Sequence, residues 1–193
     1  MDLILVLYNI RSAHNVGSIF RTADGLGVKK VVLSGYTPRV NDERVLPYLR
    51  EKLNKQIGKT ALGAEDYVDY YSCDDIILEL EQLKTEGWMV AGLENNIKDE
   101  RLIKITDFGA IIRGEMVKVG KRFSEVCSAL KTGQKKGMVL VLGEEVSGID
   151  HSIYDIIDVF LEIPMRGQKE SFNVSVAAGM AGFCLMNLAT KEI

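Results

Sequence analysis

Short apolar runs, each about as long as one buried strand, constrain the fold of this chain more than any other feature. Residues 3–8, 88–93 and 138–142 form such runs, and residues 29–33 add a shorter one. Continuous apolar strands are typical of parallel sheets, because helices cover both faces of such a sheet. With 193 residues, of which 47% are hydrophobic, the chain is long enough for one α/β domain with a substantial core.

The segments between these runs show helical spacing of apolar residues. The apolar face that follows the first strand stops at Gly27 and consists of Val16, Ile19, Phe20, Ala23 and Leu26. A second amphipathic helix is predicted over 74–86, with inward residues Ile76, Ile77, Leu80 and Leu83. Residues 37–60 are polar and basic, and Pro38 and Pro47 interrupt them, so we expect loop and short helix there.

The final helix is predicted from about residue 173 to residue 189 and is apolar on nearly every side. We expect its core residues to be Met180, Phe183, Leu185, Met186 and Leu188. A helix that is apolar all round must be covered on all sides. One flank is therefore expected to bury in the interface of a homodimer.

Charge is segregated along the chain, although the formal net charge is only −3. Residues 113–136 carry seven Lys or Arg against two Glu, whereas residues 65–86 carry eight Asp or Glu against one Lys. An acidic composition is therefore compatible with a locally basic surface for nucleic acid.

The cysteines and histidines are too few and too widely spaced for a disulfide framework or a metal site. They are Cys73, Cys127, Cys184, His14 and His151. The first residues lack a basic stretch, and their apolar run is only as long as a strand. We therefore expect a reduced, cytoplasmic protein with neither a secretory signal nor a membrane span.

Three polar clusters each follow a predicted strand, at residues 9–21, 143–148 and 163–177. Open α/β sheets bind their ligands beyond the carboxyl ends of the strands. None of the clusters contains a dinucleotide fingerprint or a Walker loop, so the residues alone indicate an α/β enzyme of unknown chemistry. In the third cluster, Ser171 and Asn173 are both suited to cap the final helix.

Motifs within these clusters resemble those of the SpoU (TrmH-like) RNA 2′-O-ribose methyltransferases of the SPOUT superfamily. They are Asn15…Arg21, Gly143-x-Glu145-x-x-Gly148 and Ile163-Pro164-Met165-x-Gly167…Ser171-x-Asn173. Their order and spacing agree with the family, and the resemblance runs from residue 3 to about residue 189. It implies an α/β fold with a mostly parallel sheet flanked by helices, a C-terminal trefoil knot, a homodimer, and S-adenosylmethionine as cofactor. The knot follows from the resemblance alone.

The resemblance also implies roles for single residues. The catalytic positions would be Arg21, Asn15, Glu145, Ser171 and Asn173, and the cofactor-binding positions would be Leu93, Gly143, Ile163, Met165 and Phe172. These residue types suit a purine nucleoside, because glycine permits close backbone approach and Ile and Phe offer apolar faces. No metal ligand is implied.

Arg21 matches the family's catalytic arginine. That arginine could act as the base that removes the hydroxyl proton, or it could bind a substrate phosphate and stabilise the developing alkoxide. A guanidinium has a pKa above about 12 and is a poor base. We therefore favour a role in gripping a substrate phosphate and stabilising developing alkoxide charge. Without a function, Arg21 would be a solvated helix residue, and Glu145 would be an ordinary acid at the start of a helix.

Taken together, the sequence predicts a single domain over residues 1–193, with a basic insertion around 106–137. That insertion either forms a solvated face or contacts RNA phosphates. The expected function is S-adenosylmethionine-dependent methyl transfer to a ribose 2′-hydroxyl of tRNA or rRNA. Two alternatives are a catalytically silent RNA-binding or assembly factor with the same fold and an enzyme that methylates a base nitrogen.

Overall fold

One sheet with parallel strands organises the protein, whose computed structural model describes residues 2–107, 128–130 and 132–187. The strands are β1 (Asp2–Tyr8), β2 (Lys30–Ser34), β3 (Tyr70–Cys73), β4 (Trp88–Leu93), β5 (Leu102–Lys104), β6 (Gly137–Leu142) and β7 (Val159–Glu162). Among the described residues their order is β3-β2-β1-β6-β4-β7-β5, and neighbouring strands run parallel throughout. The predicted α/β class is confirmed, and the short strand β5 is an element that the apolar runs did not indicate.

Helices cover both faces of this sheet. Among the described residues they include α1 (Ala13–Leu26), α2 (Pro47–Ala61), α3 (Ile76–Thr85) and α4 (Val174–Asn187), together with 3₁₀ helices at Ala64–Asp66 and His151–Ile156. Successive side chains of β1 point to opposite faces. Leu3, Leu5 and Leu7 pack with α1, α2 and α4, whereas Ile4 and Val6 pack with α3 and the second 3₁₀ helix. The central strands are therefore buried on both faces, as their continuous apolar runs require.

Helix α2 corrects the prediction of loop and short helix over residues 37–60. Pro47 does not interrupt a helix here but begins one of 15 residues. The first helical position suits proline, because the missing N–H has no partner within the helix and the ring fixes a helical φ. Pro47 is thus a start signal where the sequence was interpreted as irregular.

The prediction of buried residues was wrong at three positions on two helices. Ile77 of α3 is 40% exposed, and Met180 and Phe183 of α4 are 40% and 53% exposed. The inward face of α4 consists of small residues and one leucine, Ala178, Ala181, Gly182 and Leu185. A Cβ on Gly182 would lie 2.8 Å from Leu26 Cδ1, so close packing against α1 selects small residues there.

Some expectations concern residues outside the described ranges. These include Leu188 and most of the 106–137 insertion. The trefoil knot implied by the resemblance stays a prediction. Within the described part of the chain, no helix is long and apolar enough to cross a membrane.

Candidate active site

The carboxyl ends of four neighbouring strands, β1, β6, β4 and β7, meet along one edge of the sheet. Segments that follow β4, β6 and β7 surround a cavity. Its apolar lining is Leu93, Leu142, Val146, Ile163, Phe172, Val174 and Ala177, and its polar lining includes Glu94, Asn95, Glu144, Glu145 and Ser171. Parallel strands end at the same edge, so segments far apart in sequence contribute to one site.

Glu145 joins the loop after β6 to the start of α1. Its Oε2 accepts a hydrogen bond from the Arg11 amide at 3.0 Å. Its Oε1 accepts from the Ser12 amide at 3.3 Å and from Asn15 Nδ2 at 2.9 Å. Ser12 in turn caps α1, since its hydroxyl accepts from the Asn15 amide. One carboxylate therefore fixes both the entry of α1 and the side chain of Asn15.

The carboxyl of Glu145 is held in its ionised form. Burial raises its pKa, but hydrogen bonds from the Arg11 amide, the Asn15 side chain and the Ser12 amide outweigh that effect, so its pKa lies below the ordinary value. The N-terminal end of α1 favours a negative charge at the same place. Glu145 thus acts as a fixed anionic acceptor rather than as a group poised to take up a proton.

Asn173 joins the third motif to the first. Its Nδ2 donates to Asn15 Oδ1 at 3.2 Å, across 158 positions of sequence. Its Oδ1 accepts from the Ser175 amide at 2.9 Å, which caps α4. The prediction that Ser171 or Asn173 caps the final helix is confirmed for Asn173. Glu145, Asn15 and Asn173 therefore form one polar chain, named here the Glu145–Asn173 chain.

Glu144 stabilises the turn that carries Glu145. Its Oε2 accepts from the amides of Val146 at 2.9 Å and Ser147 at 2.6 Å, and from Ser147 Oγ at 2.8 Å. These hydrogen bonds, first those of Ser147 and then that of Val146, lower the pKa of the Glu144 carboxyl to about 2. The turn closes at Gly148, whose φ of 73° lies in the left-handed region.

Stability should depend on pH through Glu144. In the unfolded chain this carboxyl titrates near 4.5, so its contribution is complete above about pH 4.5 and is lost as pH falls toward 2. We expect Glu144→Gln to be less stable than wild type near neutral pH and the difference to shrink through that window. Urea unfolding over a pH series measures it, with Glu81→Gln on the exposed side of α3 as control. A difference independent of pH would contradict the assignment.

Asn95 locks two walls of the cavity together, and the sequence reasoning missed it. Its Oδ1 accepts from the Ile163 amide at 3.1 Å, and its Nδ2 donates to the carbonyls of Ile163 at 3.0 Å and Glu170 at 3.3 Å. Glu94 was also missed, and its Oε2 accepts from the Ile149 amide at 2.8 Å. Their position directly after an apolar strand was the available signal.

The structure brings together eight of the ten residues implied by the resemblance. Those that line the cavity are Leu93, Gly143, Glu145, Ile163, Ser171 and Phe172, and those joined to it through Glu145 are Asn15 and Asn173. Met165 is half-buried outside the lining. Arg21 lies exposed on α1, also outside the lining, and forms no hydrogen bond or ion pair with the described residues.

Gly143 meets the chain's own backbone closely. A Cβ at this position would lie 2.4 Å from the carbonyl carbon of Gly148 and 2.4 Å from the Ile149 nitrogen. Only glycine therefore lets the 144–148 turn fold back against the end of β6. Among the described residues, no cluster of three or more His, Cys, Asp or Glu side chains is arranged to hold a metal ion.

Comparisons with known proteins show the family of this chain. A model of the SpoU rRNA Methylase family matches residues 2–183. The human mitochondrial rRNA methyltransferase 1 is 30% identical over 185 residues, which are 93% of this chain and 44% of that protein. The chain spans about half the length of the curated relatives it matches.

Solved structures show the same fold. An AdoMet-bound rRNA methyltransferase from Sinorhizobium meliloti superposes with a TM-score of 0.67 at 17% identity, covering 98% of this chain and 57% of that one. A structure described for 2-OH methylation of C/U34 on tRNA superposes with a TM-score of 0.65 at 21% identity, covering 97% and 96%. Since the family model extends over nearly the whole sequence, this chain belongs to the SpoU rRNA Methylase family.

Proposed function

We propose that the protein transfers a methyl group from S-adenosylmethionine to a ribose 2′-hydroxyl of tRNA or rRNA. The observation that carries the proposal is the Glu145–Asn173 chain, which joins residues of three separate motifs beside one cavity. Support for the ribose hydroxyl comes from the similar structure described for 2-OH methylation of tRNA. Support for RNA as substrate comes from the human relative, an rRNA methyltransferase.

The lining of the cavity suits S-adenosylmethionine. Leu93, Ile163 and Phe172 offer apolar surface to an adenine ring, and the carboxylate of Glu94 suits hydroxyl or ammonium groups. When bound, the cofactor supplies a methyl group activated on a sulfonium.

The chain's own residues would hold the substrate hydroxyl and compensate charge. Asn15 and Asn173 are neutral amides that can orient a hydroxyl but cannot accept its proton. Glu145, whose two oxygens already accept three hydrogen bonds, holds Asn15 in place. Positioning of the attacking oxygen is then the main contribution of this polar chain.

Arg21 would contact the RNA itself. Its exposed side chain has no partner among the described residues, so it is available to a phosphate. A guanidinium binds phosphate oxygens through two parallel hydrogen bonds and can stabilise negative charge on the reacting hydroxyl.

Transfer of a labelled methyl group from S-adenosylmethionine to unmodified RNA tests the proposal. We expect the RNA to become labelled only when the protein is present. After that RNA is digested to nucleosides, mass spectrometry should find the label in 2′-O-methylated nucleosides. Methyl groups on a base nitrogen would favour the alternative of base methylation. Absence of cofactor binding by calorimetry would favour the catalytically silent factor.

Asn95→Ala should weaken cofactor binding, because it removes the three hydrogen bonds that hold the Ile163 wall against the β4 loop. We expect the binding free energy to become less favourable by about 1.4 kcal/mol, because the wall is no longer held in the binding conformation. That change corresponds to roughly a tenfold higher Kd. Isothermal titration with S-adenosylmethionine measures the change. Asn96→Gly is the control, since Asn96 has a φ of 60° and donates a single long hydrogen bond to Glu170. Equal affinities of the two variants would contradict this role of Asn95.

A homodimer is part of the same proposal. Val176, Met180 and Phe183 recur at helical spacing on α4 and are 49%, 40% and 53% exposed. A second copy of the chain is the partner that would cover them. Sedimentation equilibrium tests this, since wild type should sediment as a dimer and Phe183→Glu as a monomer. A monomeric wild type would refute the dimer without affecting the chemistry.

A further inference from the structure

We propose that a basic concave surface between α1 and α2 binds the phosphodiester backbone of the substrate RNA. The inference rests on the proposed function and adds to it the place where RNA is held. This surface, named here the α1–α2 concavity, has a volume of about 530 Å³. Its lining includes His14, Tyr48, Lys52, Lys55, Gln56 and Lys59.

Three lysines stand on one face of α2. Lys52, Lys55 and Lys59 follow one another at intervals of three and four residues, which is the spacing of one helical face. All three are exposed, and none forms an ion pair with a described residue. Glu51 is the one carboxylate among the lining residues, so the described lining carries a net positive charge.

The concavity adjoins the Glu145–Asn173 chain. The two helices cross closely, because a Cβ on Gly17 would lie 2.2 Å from the Ile57 carbonyl oxygen. Thr60 Oγ1 also donates to the His14 carbonyl at 2.8 Å. His14 therefore lines the concavity, while its neighbour Asn15 donates to Glu145.

Arg21 lies on the same side of α1 as the concavity. It follows His14 by seven residues, which is close to two full helical turns. A strand of RNA that enters the site near Asn15 could thus contact Arg21 and the lysines of α2 together. Tyr48 is 70% exposed at the far end of the lysine face, where its ring is available to stack on an unpaired base.

The sign of the charge favours RNA. The whole chain carries a formal charge of −3, so a positive surface beside the site runs against the general composition. RNA carries one negative charge per nucleotide, and lysines bind it by neutralising phosphates and releasing counterions. An acidic protein is the competing partner, and the experiment separates the two.

In the test variant, named here the α2 variant, Lys52, Lys55 and Lys59 are all replaced by glutamine. Glutamine removes the charge but keeps a similar side-chain length and helix propensity. The probe is a fluorescently labelled, unmodified tRNA transcript, titrated with S-adenosylmethionine-saturated protein. We expect the Kd for RNA to rise roughly tenfold at about 0.1 M salt. The negative slope of log K against log salt should become shallower by about 2–3. The KM for RNA should rise, whereas the KM for S-adenosylmethionine should not change.

A charge-matched control replaces Lys29, Lys30 and Lys136, which line a different concavity near the amino ends of the strands. The inference would be overturned if the α2 variant bound RNA as tightly as wild type does. It would also be overturned if the control variant lost as much RNA affinity as the α2 variant. If the α2 variant lost affinity for polyglutamate but not for RNA, the surface would be assigned to an acidic protein partner instead. Failure of wild type to methylate any RNA would refute the proposed function, whereas the binding titration still tests the concavity.

Discussion

Replacing Arg21 with alanine is expected to lower methyl transfer by about two to three orders of magnitude while leaving cofactor affinity nearly unchanged. The loss follows from the proposed contact between the guanidinium and the charge that develops on the substrate. Cofactor affinity should survive because Arg21 is not part of the cavity lining. Single-turnover rates with unmodified RNA, together with calorimetric titration of S-adenosylmethionine, measure the two effects separately.

Two further variants sharpen this expectation. Arg21→Lys keeps the charge but loses the planar fork that binds a phosphate through two hydrogen bonds, so most turnover should also be lost. Asp24→Ala, another exposed position on α1, is the control and should react at the wild-type rate. Near-normal turnover in both arginine variants would rule out Arg21 as a catalytic residue.

Glu145→Ala is expected to damage both stability and turnover. The substitution leaves the Arg11 and Ser12 amides and the Asn15 side chain without their acceptor. An unsatisfied, partly buried donor costs about 1–3 kcal/mol, so the free energy of unfolding should fall by about that amount. Turnover should fall by roughly 100-fold, because Asn15 loses its orientation.

The comparison that isolates this effect is Glu145→Gln, which retains one carbonyl acceptor and should therefore keep more stability than alanine. Glu100→Ala is the control, since Glu100 is exposed and lies outside the cavity lining. Urea unfolding gives the stability, and single-turnover assays give the rate. If Glu145→Ala unfolded at the wild-type urea concentration and reacted at the wild-type rate, the Glu145–Asn173 chain would have no role.

The sequence predicted the sheet well because burial on both faces leaves a direct mark. Strands such as Trp88–Leu93 have no polar residue, and their ends coincide with the ends of the apolar runs. The prediction was weaker for helices. Pro47 is compatible with both a helix start and a loop, and the packing of α2 against α1, for example at Ile57, is visible only in the folded chain.

The site was predicted in part for a similar reason. Motif residues such as Glu145 and Asn173 could be named because their order and spacing match a family. Asn95 could not, because its role depends on the Ile163 backbone, which is remote in sequence and adjacent only in the folded sheet. Exposure of Met180 likewise depends on which side of α4 packs against α1. The sequence of α4 is apolar on nearly every side, so it does not indicate which side that is.

The central position of β1 has a consequence for folding during synthesis. β1 pairs on one side with β2, which follows it closely, but on the other side with β6, where Asp2 lies opposite Gly137. Until residues 137–142 leave the ribosome, one edge of β1, whose residues 3–7 are all apolar, has no strand beside it. Contacts this distant in sequence form slowly, and open apolar edges invite aggregation. The nascent chain should therefore depend on chaperones most strongly before β6 emerges.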